Sequence, residues 1–363
     1  MMTPSRVQRL PGGEASGEGF SLLELLVAMG VFLIIGAASF TLFSRHQTLL
    51  SQEQGIVGLN IGLRNALAQM QLDVVNAGNG LILGANVPAW PVGVTIYNSN
   101  PTTTQCNPAA SNPPVYAAAC FDQLNVIVVD PNTPPVHPQD SGGGCINTSS
   151  GSILYGQPPP GFTASQIAGK FSNNDQVLFV SASGKKFTTA ILSAAGTTSS
   201  SPPGFVYLTF HSTLSLGRNN ASNDPLGMTT NAPAAELTDA FCSGDWVLRL
   251  LPVTYSVNTD NSSNPQLIRT QAGTSNVVMD QVVGFKVGAA WWNNPNTSSF
   301  QYEYNSANYS NDFTLIRSVR VSVIGRTRAN ATNPYRNPFD SGPYQIRGNS
   351  IIVNPRNLTM NND

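Results

Sequence analysis

Charge is scarce in this chain. Asp, Glu, Lys and Arg together make up 10% of the 363 residues, against roughly a quarter in a typical soluble domain. The two signs nearly cancel, 18 basic against 19 acidic, for a formal net charge of −1. Such a balance creates no broad field for nucleic acid or an acidic substrate, and no specific nucleic-acid site is evident. Histidine is rarer still: His46, His137 and His211 stand far apart. The four cysteines, Cys106, Cys120, Cys145 and Cys242, form no CxxC pair. Zinc-type ligand spacing is therefore absent, and no metal site is expected. A GxSxG elbow, an HExxH pair, a P-loop and an EF-hand loop are also missing. These absences point away from an enzyme and from a cofactor.

Asn, Ser, Thr, Gly and Pro supply the polarity instead. Hydrophobic residues still reach 41% and fall in distinct runs, which separates the chain from the disordered class. The mixture suits an exported, β-rich protein with long loops. In an oxidising compartment the cysteines pair. Four cysteines allow three connectivities, and sequence proximity favours Cys106–Cys120 with Cys145–Cys242. Buried free thiols are the alternative if the chain stays in the cytoplasm.

One long apolar run exists. Phe20 to Phe43 reads FSLLELLVAMGVFLIIGAASFTLF and carries a single formal charge, Glu24. A helix of that length rises ~36 Å, enough for a hydrocarbon core of about 30 Å. A cleaved secretory signal would have a shorter apolar core, of about 7–15 residues, although Gly36-Ala37-Ala38-Ser39 mimics a cleavage site. A plain signal anchor accounts for the length but not for Glu24. A carboxylate inside an apolar span costs about 2.5–3.5 kcal/mol by insertion scales, which marks it as a functional candidate. Its place near the start of the span also lets it reach the headgroups.

Gly19-Phe20-Ser21-Leu22-Leu23-Glu24 resembles the processing site of type IV prepilins and type II secretion pseudopilins. The resemblance implies a cut between Gly19 and Phe20 by a prepilin peptidase, with N-methylation of Phe20. It also places Glu24 at the fifth position of the mature chain, where the family carries glutamate. The leader departs from the family habit: it is long, and Arg6 and Arg9 are offset by Glu14 and Glu18. The cut precedes the apolar helix, so the helix survives in the mature protein. The implied role of Glu24 is assembly, by pairing with the Phe20 amine of a neighbouring subunit.

The helical pattern runs on beyond the span. Leu49, Ile56, Leu59, Leu63, Leu67, Met70 and Val74 recur at helical spacing, while Arg45, Gln47, Gln52, Gln54, Asn60, Arg64 and Asp73 occupy other faces. This predicts an amphipathic continuation packed on a globular domain. It should stop near Asn76-Ala77-Gly78-Asn79-Gly80. Gly55, Gly58 and Gly62 each weaken the helix by ~1 kcal/mol relative to alanine. Either a close-packed neighbour tolerates them or the stretch bends or melts during assembly.

Beyond Gly80 the period changes. Strand-like runs are predicted at Val92–Tyr97, Leu124–Asp130, Gln176–Ser181, Phe187–Leu192, Phe205–Phe210, Trp246–Val257, Val277–Val287 and Phe313–Gly325. Asn98–Pro114, Asp130–Gly151 and Ser193–Pro203 read as long loops. Ser141-Gly142-Gly143-Gly144-Cys145 reads as a turn. Asn258–Asn264 reads as a solvated loop, with calcium ligation the sharper alternative. Trp291 and Trp292 would face opposite sides of a strand, one in the core and one open to a glycan or partner.

Ala66–Gly78, whose helix runs into an Ala-Gly step, is similar to the helix end of PilW-type minor pilins. Val253–Val257, Gln266–Thr270, Val277–Val287, Ile316–Arg326 and Pro355–Leu358 follow that family's strand order. Residues 98–240 match no family pattern. The expected fold is α+β and type IV pilin-like: one long N-terminal helix, then a large elaborated antiparallel β domain. The expected divisions are leader 1–19, apolar transmembrane or filament-core helix 20–44, amphipathic continuation 45–78 and a β-rich domain 79–363. That domain is one unit with elaborations or two β subdomains meeting near 150–170. The resemblance implies a structural minor pilin, held in the bacterial inner membrane and then in a surface pilus. Its partners would be the peptidase and other major and minor pilins. A J-type pseudopilin and a pilus-borne adhesin are the alternatives.

Overall fold

A computed structural model describes residues 21–79, 93–97, 117–147, 153–183, 186–211, 240–291, 316–329, 335–338 and 341–356. The chain divides into two compact bodies, Met1–Gly55 and Ile56–Asp363. In the first body the described residues belong to a helix, α1, which spans Leu22–Val75 and so enters the second body. Gly55, Gly58 and Gly62 lie within it without interrupting it.

The second body is antiparallel β throughout its described pairings. Its strands are β1 (Val94–Tyr97), β2 (Gln123–Val129), β3 (His137–Gln139), β4 (Ile146–Asn147), β5 (Ile153–Gln157), β6 (Gln176–Val180), β7 (Phe187–Ile191) and β8 (Thr197–Ser200). They continue with β9 (Pro203–Thr209), β10 (Ala240–Phe241), β11 (Trp246–Asn258), β12 (Gln266–Gln271), β13 (Thr274–Met279), β14 (Val282–Trp291), β15 (Ile316–Arg326) and β16 (Ile346–Val353). A short helix, α2 (Ala164–Ala168), is held by a capping box between Thr163 and Gln166. The fold class is α+β: a long N-terminal helix followed by a large antiparallel β domain.

One sheet runs β1-β2-β11-β12-β13, with β6 and β7 branching from β11. A second is β14-β15-β16, a third is β3-β5-β9-β8, and β4 pairs with β10. β11 organises the molecule because its partners change along its length, with β2 on one edge and β6 on the other. Trp246 to Arg249 pair with β6, whereas Leu250 to Tyr255 pair with β2.

Two apolar cores follow from this layout. In the first, Leu59, Leu63, Ala66, Leu67, Met70 and Val74 of α1 meet inward residues of two sheets, among them Leu124, Tyr255, Phe285, Val321 and Val323. The second gathers Ile167, Phe171, Phe179, Phe210, Phe241 and Val247 around α2 and β6. Its ring pairs Phe179–Phe241 and Phe179–Phe210 sit 5.2 and 5.7 Å apart in tilted geometry, a favoured arrangement for aromatic rings. Asp122 ties the two helix-facing sheets together. Its amide donates to the Phe285 carbonyl at 3.0 Å, and its carboxylate accepts from the Val287 amide and the Lys286 ammonium, each at 2.8 Å.

Several expectations need correction. The run Val277–Val287 is not one strand. β13 ends at Met279, Gln281 adopts φ 58°, and β14 starts at Val282 in another sheet. Asp280 anchors the corner by accepting from Gln266 Nε2 at 2.7 Å and Asn264 Nδ2 at 3.1 Å. The stretch Asp130–Gly151 holds β3 and β4, and Ser193–Pro203 holds β8. Residues 98–116, and with them the whole of the expected Asn98–Pro114 loop, lie outside the described residues, as does Trp292.

Candidate assembly segment

The first body has one chemical character. From Ser21 to Gly55 no residue is buried. Among the described residues, α1 is the one helix long and apolar enough to cross a membrane. Its best 18-residue stretch has a mean hydropathy of 2.4, and none of that stretch is buried within the protein. Leu22, Phe32, Ile34 and Phe40 are each more than two-thirds exposed, an arrangement that is unfavourable in water and favourable in lipid or against other apolar helices. Two hydroxyls toward the far end of the apolar run are satisfied by the helix's own backbone. Thr41 Oγ1 donates to the Ala37 carbonyl at 2.8 Å, and Thr48 Oγ1 to the Ser44 carbonyl at 3.0 Å.

Glu24 lies in the first turn. Its Oε2 accepts from the Ser21 amide at 3.0 Å and from the Ser21 hydroxyl at 3.1 Å, while the Glu24 amide donates back to Ser21 Oγ at 3.2 Å. Ser21-Leu22-Leu23-Glu24 is therefore a capping box. The sequence carries that S-x-x-E signature at the head of an apolar run, a capping signal beside the pairing and headgroup roles expected of Glu24. Gly19 and Phe20 lie outside the described residues.

In the second body the remainder of α1 lies on the β domain. Leu59, Leu63, Leu67, Met70 and Val74 are buried, Ile56 is half-buried, and Gly62 sits over Met279, where a Cβ would meet Cγ at 3.8 Å. Val57, Ile61 and Leu72 point to the opposite side and are exposed, so this part of the helix is apolar on two faces.

Asp73 departs from the expectation of an outer face. It is half-buried, and Arg269 of β12 grips it from Nε at 2.8 Å and Nη2 at 3.3 Å. The Tyr255 hydroxyl donates to the same Oδ2. Burial, then the hydrogen bond to Asp73 and its charge, push the Tyr255 phenol far above its ordinary range. It therefore remains a neutral donor. Tyr255 and Arg269 are opposed across β11 and β12, so both side chains leave the sheet on the helix side.

The helix end is sewn into the sheet. Gly78, at φ +74°, donates from its amide to the Ile127 carbonyl at 2.8 Å, and Val129 donates to Asn79 at 3.0 Å. Arg356, beyond β16, donates to the Val75 carbonyl at 3.2 Å. A Cβ on Gly93 would lie 2.7 Å from the Gly78 nitrogen. Two backbones can approach this closely because Gly93 has no side chain.

A second polar cluster sits where β11 changes partners. Arg249 donates from Nη1 to Asp130, just past β2, and from Nε to Asp175, just before β6, each at 2.7 Å. Burial raises the Asp130 pKa, but hydrogen bonds from Thr133, Asn132 and Arg249, with the Arg249 charge, outweigh it and hold the carboxyl below its usual range. Nearby, Asp245 accepts from the amides of Ala182 and Cys242, each at 2.7 Å. Cys145 and Cys242 are bonded to each other across 97 residues. Cys120 is also disulfide-bonded, and Cys106 lies outside the described residues.

The glycine turn and the Asn258–Asn264 loop use polar groups internally. Asp140 Oδ1 accepts from the Gly142 and Gly144 amides at 2.8 and 2.7 Å, closing the glycine turn. Asn258 Oδ1 accepts from the Asp260 amide and Asn261 Oδ1 from the Ser263 amide. These are side-chain turns of a kind asparagine favours. Among the described residues no group of three or more His, Cys, Asp and Glu side chains converges.

No protein-family model matches the chain, and no curated protein matches it. Among solved structures, a type IV-like pilin from Thermus thermophilus is similar, with 11% sequence identity over 54% of this chain and 89% of that one, at a TM-score of 0.19.

Proposed function

We propose that the chain is a type IV pilin-like subunit, most like the PilW-type minor pilins, with a structural role in pilus assembly or at the pilus tip. The observation that carries the reading is α1. Its Leu22–Ser44 stretch is an exposed apolar helix whose one charge, Glu24, stands in the first turn, directly behind the Gly19-Phe20 pair. A prepilin peptidase removes residues 1–19, and Phe20 becomes an N-methylated amino terminus. The helix then holds the subunit in the inner membrane until it enters a filament, where apolar neighbours replace lipid at little cost. Glu24 pairs there with the cationic terminus of an adjacent subunit. The β domain, its helix end and sheets fixed by Asp73, Arg249 and Asp122, travels as folded cargo on that helix.

Mass spectrometry of the amino terminus, combined with separation of sheared pili from inner membrane, tests this. N-methyl-Phe20 in the pilus fraction is the expected result. An intact leader, or a start at residue 39 or later, overturns it. Recovery of N-methyl-Phe20 only with a type II secretion complex assigns the chain to the pseudopilin branch instead.

A further inference from the structure

The β14-β15-β16 sheet has two edges, and they differ. At the β14 edge Asp122 occupies the backbone: its amide donates to the Phe285 carbonyl at 3.0 Å, and its carboxylate accepts from the Val287 amide at 2.8 Å. The β16 edge has no such cover. The Thr327 amide donates to the Gln345 carbonyl at 2.9 Å, and β15 and β16 continue that register as far as Val319 and Val353 without a shift. In an antiparallel ladder alternate residues bond to the neighbouring strand. Arg347, Asn349, Ile351 and Val353 therefore bond to β15, while Ile346, Gly348, Ser350 and Ile352 turn their amides and carbonyls outward. Of these outward groups the Ser350 amide meets a local acceptor, Asn349 Oδ1, at 2.9 Å. Among the described residues the others have no hydrogen-bond partner. β16 contains neither a proline nor a bulge, two of the devices that close a strand edge.

The charge around this edge selects its occupant. Ile316–Arg356 contains seven arginines and one acid, Asp340, in a chain whose charges otherwise nearly cancel. Arg320, Arg328, Arg347 and Arg356 are exposed. Arg347 is the one charge within β16, and among the described residues it forms no ion pair. On the other face of the strand Ile352 is 58% exposed. A second copy of this edge would set two arginine-rich segments against each other, which like charge opposes. We propose that β16 is an acceptor edge for an extended acidic segment of a partner polypeptide, which adds to the sheet as a further strand. The incoming backbone completes the open ladder. Its side chains alternate between the two faces, apolar beside Ile352 and carboxylate beside Arg347. This role goes beyond the pilin-like reading and does not depend on processing at Gly19.

The test uses the full chain in neutral detergent and a capped peptide of about ten residues alternating valine and glutamate, with lysine replacing glutamate in a control peptide. Fluorescence anisotropy measures binding, and hydrogen exchange follows the outward amides of Gly348 and Ile352. The glutamate peptide should bind about tenfold more tightly than the lysine peptide, and its binding should slow exchange at both amides. Arg347→Glu should reverse the preference between the peptides. Ser350→Pro removes an outward donor and leaves the bonds to β15 in place, so it should weaken binding about tenfold while the folded chain keeps its thermal midpoint. Absence of binding, equal binding of the two peptides, or binding that leaves Gly348 and Ile352 unprotected overturns the proposal. Protection of these amides that rises with protein concentration alone also overturns it, and assigns the edge to a second copy. So does a polythymidine oligonucleotide that binds as tightly as the glutamate peptide and displaces it, because the arginines would then serve phosphate.

Discussion

Asp73 on α1 and Arg269 on β12 form a forked ion pair across 196 residues of sequence, at 2.8 and 3.3 Å. Tyr255, whose side chain is wholly buried, donates to the same carboxylate. The last turns of the helix are thus held by a polar clasp set at the edge of an apolar core. Removing the acceptor strands two donors. Asp73→Ala should destabilise the protein by about 2–4 kcal/mol, and Tyr255→Phe by about 1 kcal/mol. Urea unfolding of the detergent-solubilised protein, followed by tryptophan fluorescence, measures both. An Asp73→Ala effect no larger than that of Tyr255→Phe would show that the ion pair does not hold the helix.

Arg249 joins two carboxylates at the switch point of β11, and one of them gives a pH signature. The Asp130 pKa is lower folded than unfolded, so its contribution to stability is present above the unfolded value of about 3.9 and is lost as pH falls through the folded value. Stability should drop as pH falls from about 5 through the folded value. In Asp130→Asn the slope over that range should be shallower, with lower stability at neutral pH. A slope unchanged in Asp130→Asn would remove this carboxylate from the acid response.

Gly93 and Gly273 should respond to alanine for different reasons. At Gly273, φ is +75° and nothing lies within 4 Å of the added carbon, so Gly273→Ala meets conformational strain alone, about 1–2 kcal/mol. At Gly93 the carbon meets backbone of Gly78 and Ala77 at 2.7 and 2.9 Å. Gly93→Ala must separate the helix end from the sheet, at a cost of about 1–3 kcal/mol. Hydrogen exchange distinguishes them. Gly93→Ala should speed exchange at Gly78 and Val129, and Gly273→Ala should leave those amides protected.

The Cys145–Cys242 bond closes a segment of 97 residues that includes α2 and β5 to β9. Loop-closure entropy for about 100 residues gives roughly 4–5 kcal/mol, with measured values commonly 2–4. Paired replacement of both cysteines by serine should therefore lower the unfolding midpoint markedly. A midpoint unchanged in the paired variant would mean that β11 and the Phe179 cluster hold this region without the crosslink.

Glu24→Ala should leave the folded β domain intact and remove the subunit from sheared pili, with at least a tenfold loss expected if one register-defining ion pair is worth about 1.4 kcal/mol. Immunoblotting of sheared and membrane fractions measures it. Normal amounts of the variant in pili would eliminate the pairing role.

The sequence was most legible where one physical effect dominated. A long apolar run names its own environment, and Leu59, Leu63, Leu67, Met70 and Val74 are buried as their spacing demands. Asp73 was misread because periodicity assigns a face but cannot see that Arg269 waits opposite it. The break at Gln281 was missed because Asp280 is a lone turn signal with no glycine or proline beside it, and the corner is made by Asn264 and Gln266 from another segment. β3 and β8 were hidden for a related reason. His137-Pro138-Gln139 and Thr197-Thr198-Ser199-Ser200 have little apolar content, and each is a strand only because β5 or β9 pairs with it.

By itself, then, the sequence determined the segment Phe20–Phe43, the helix that follows it and the β character of the rest, because burial of apolar surface and helical or alternating period are local properties. The tertiary structure decided what local pattern does not contain. It set the partner of Asp73, the double pairing of β11 and the closeness of Gly93 to Gly78. Each of these joins groups distant in the chain, and what selects them is mutual satisfaction of buried polar atoms and backbone, which no single segment encodes.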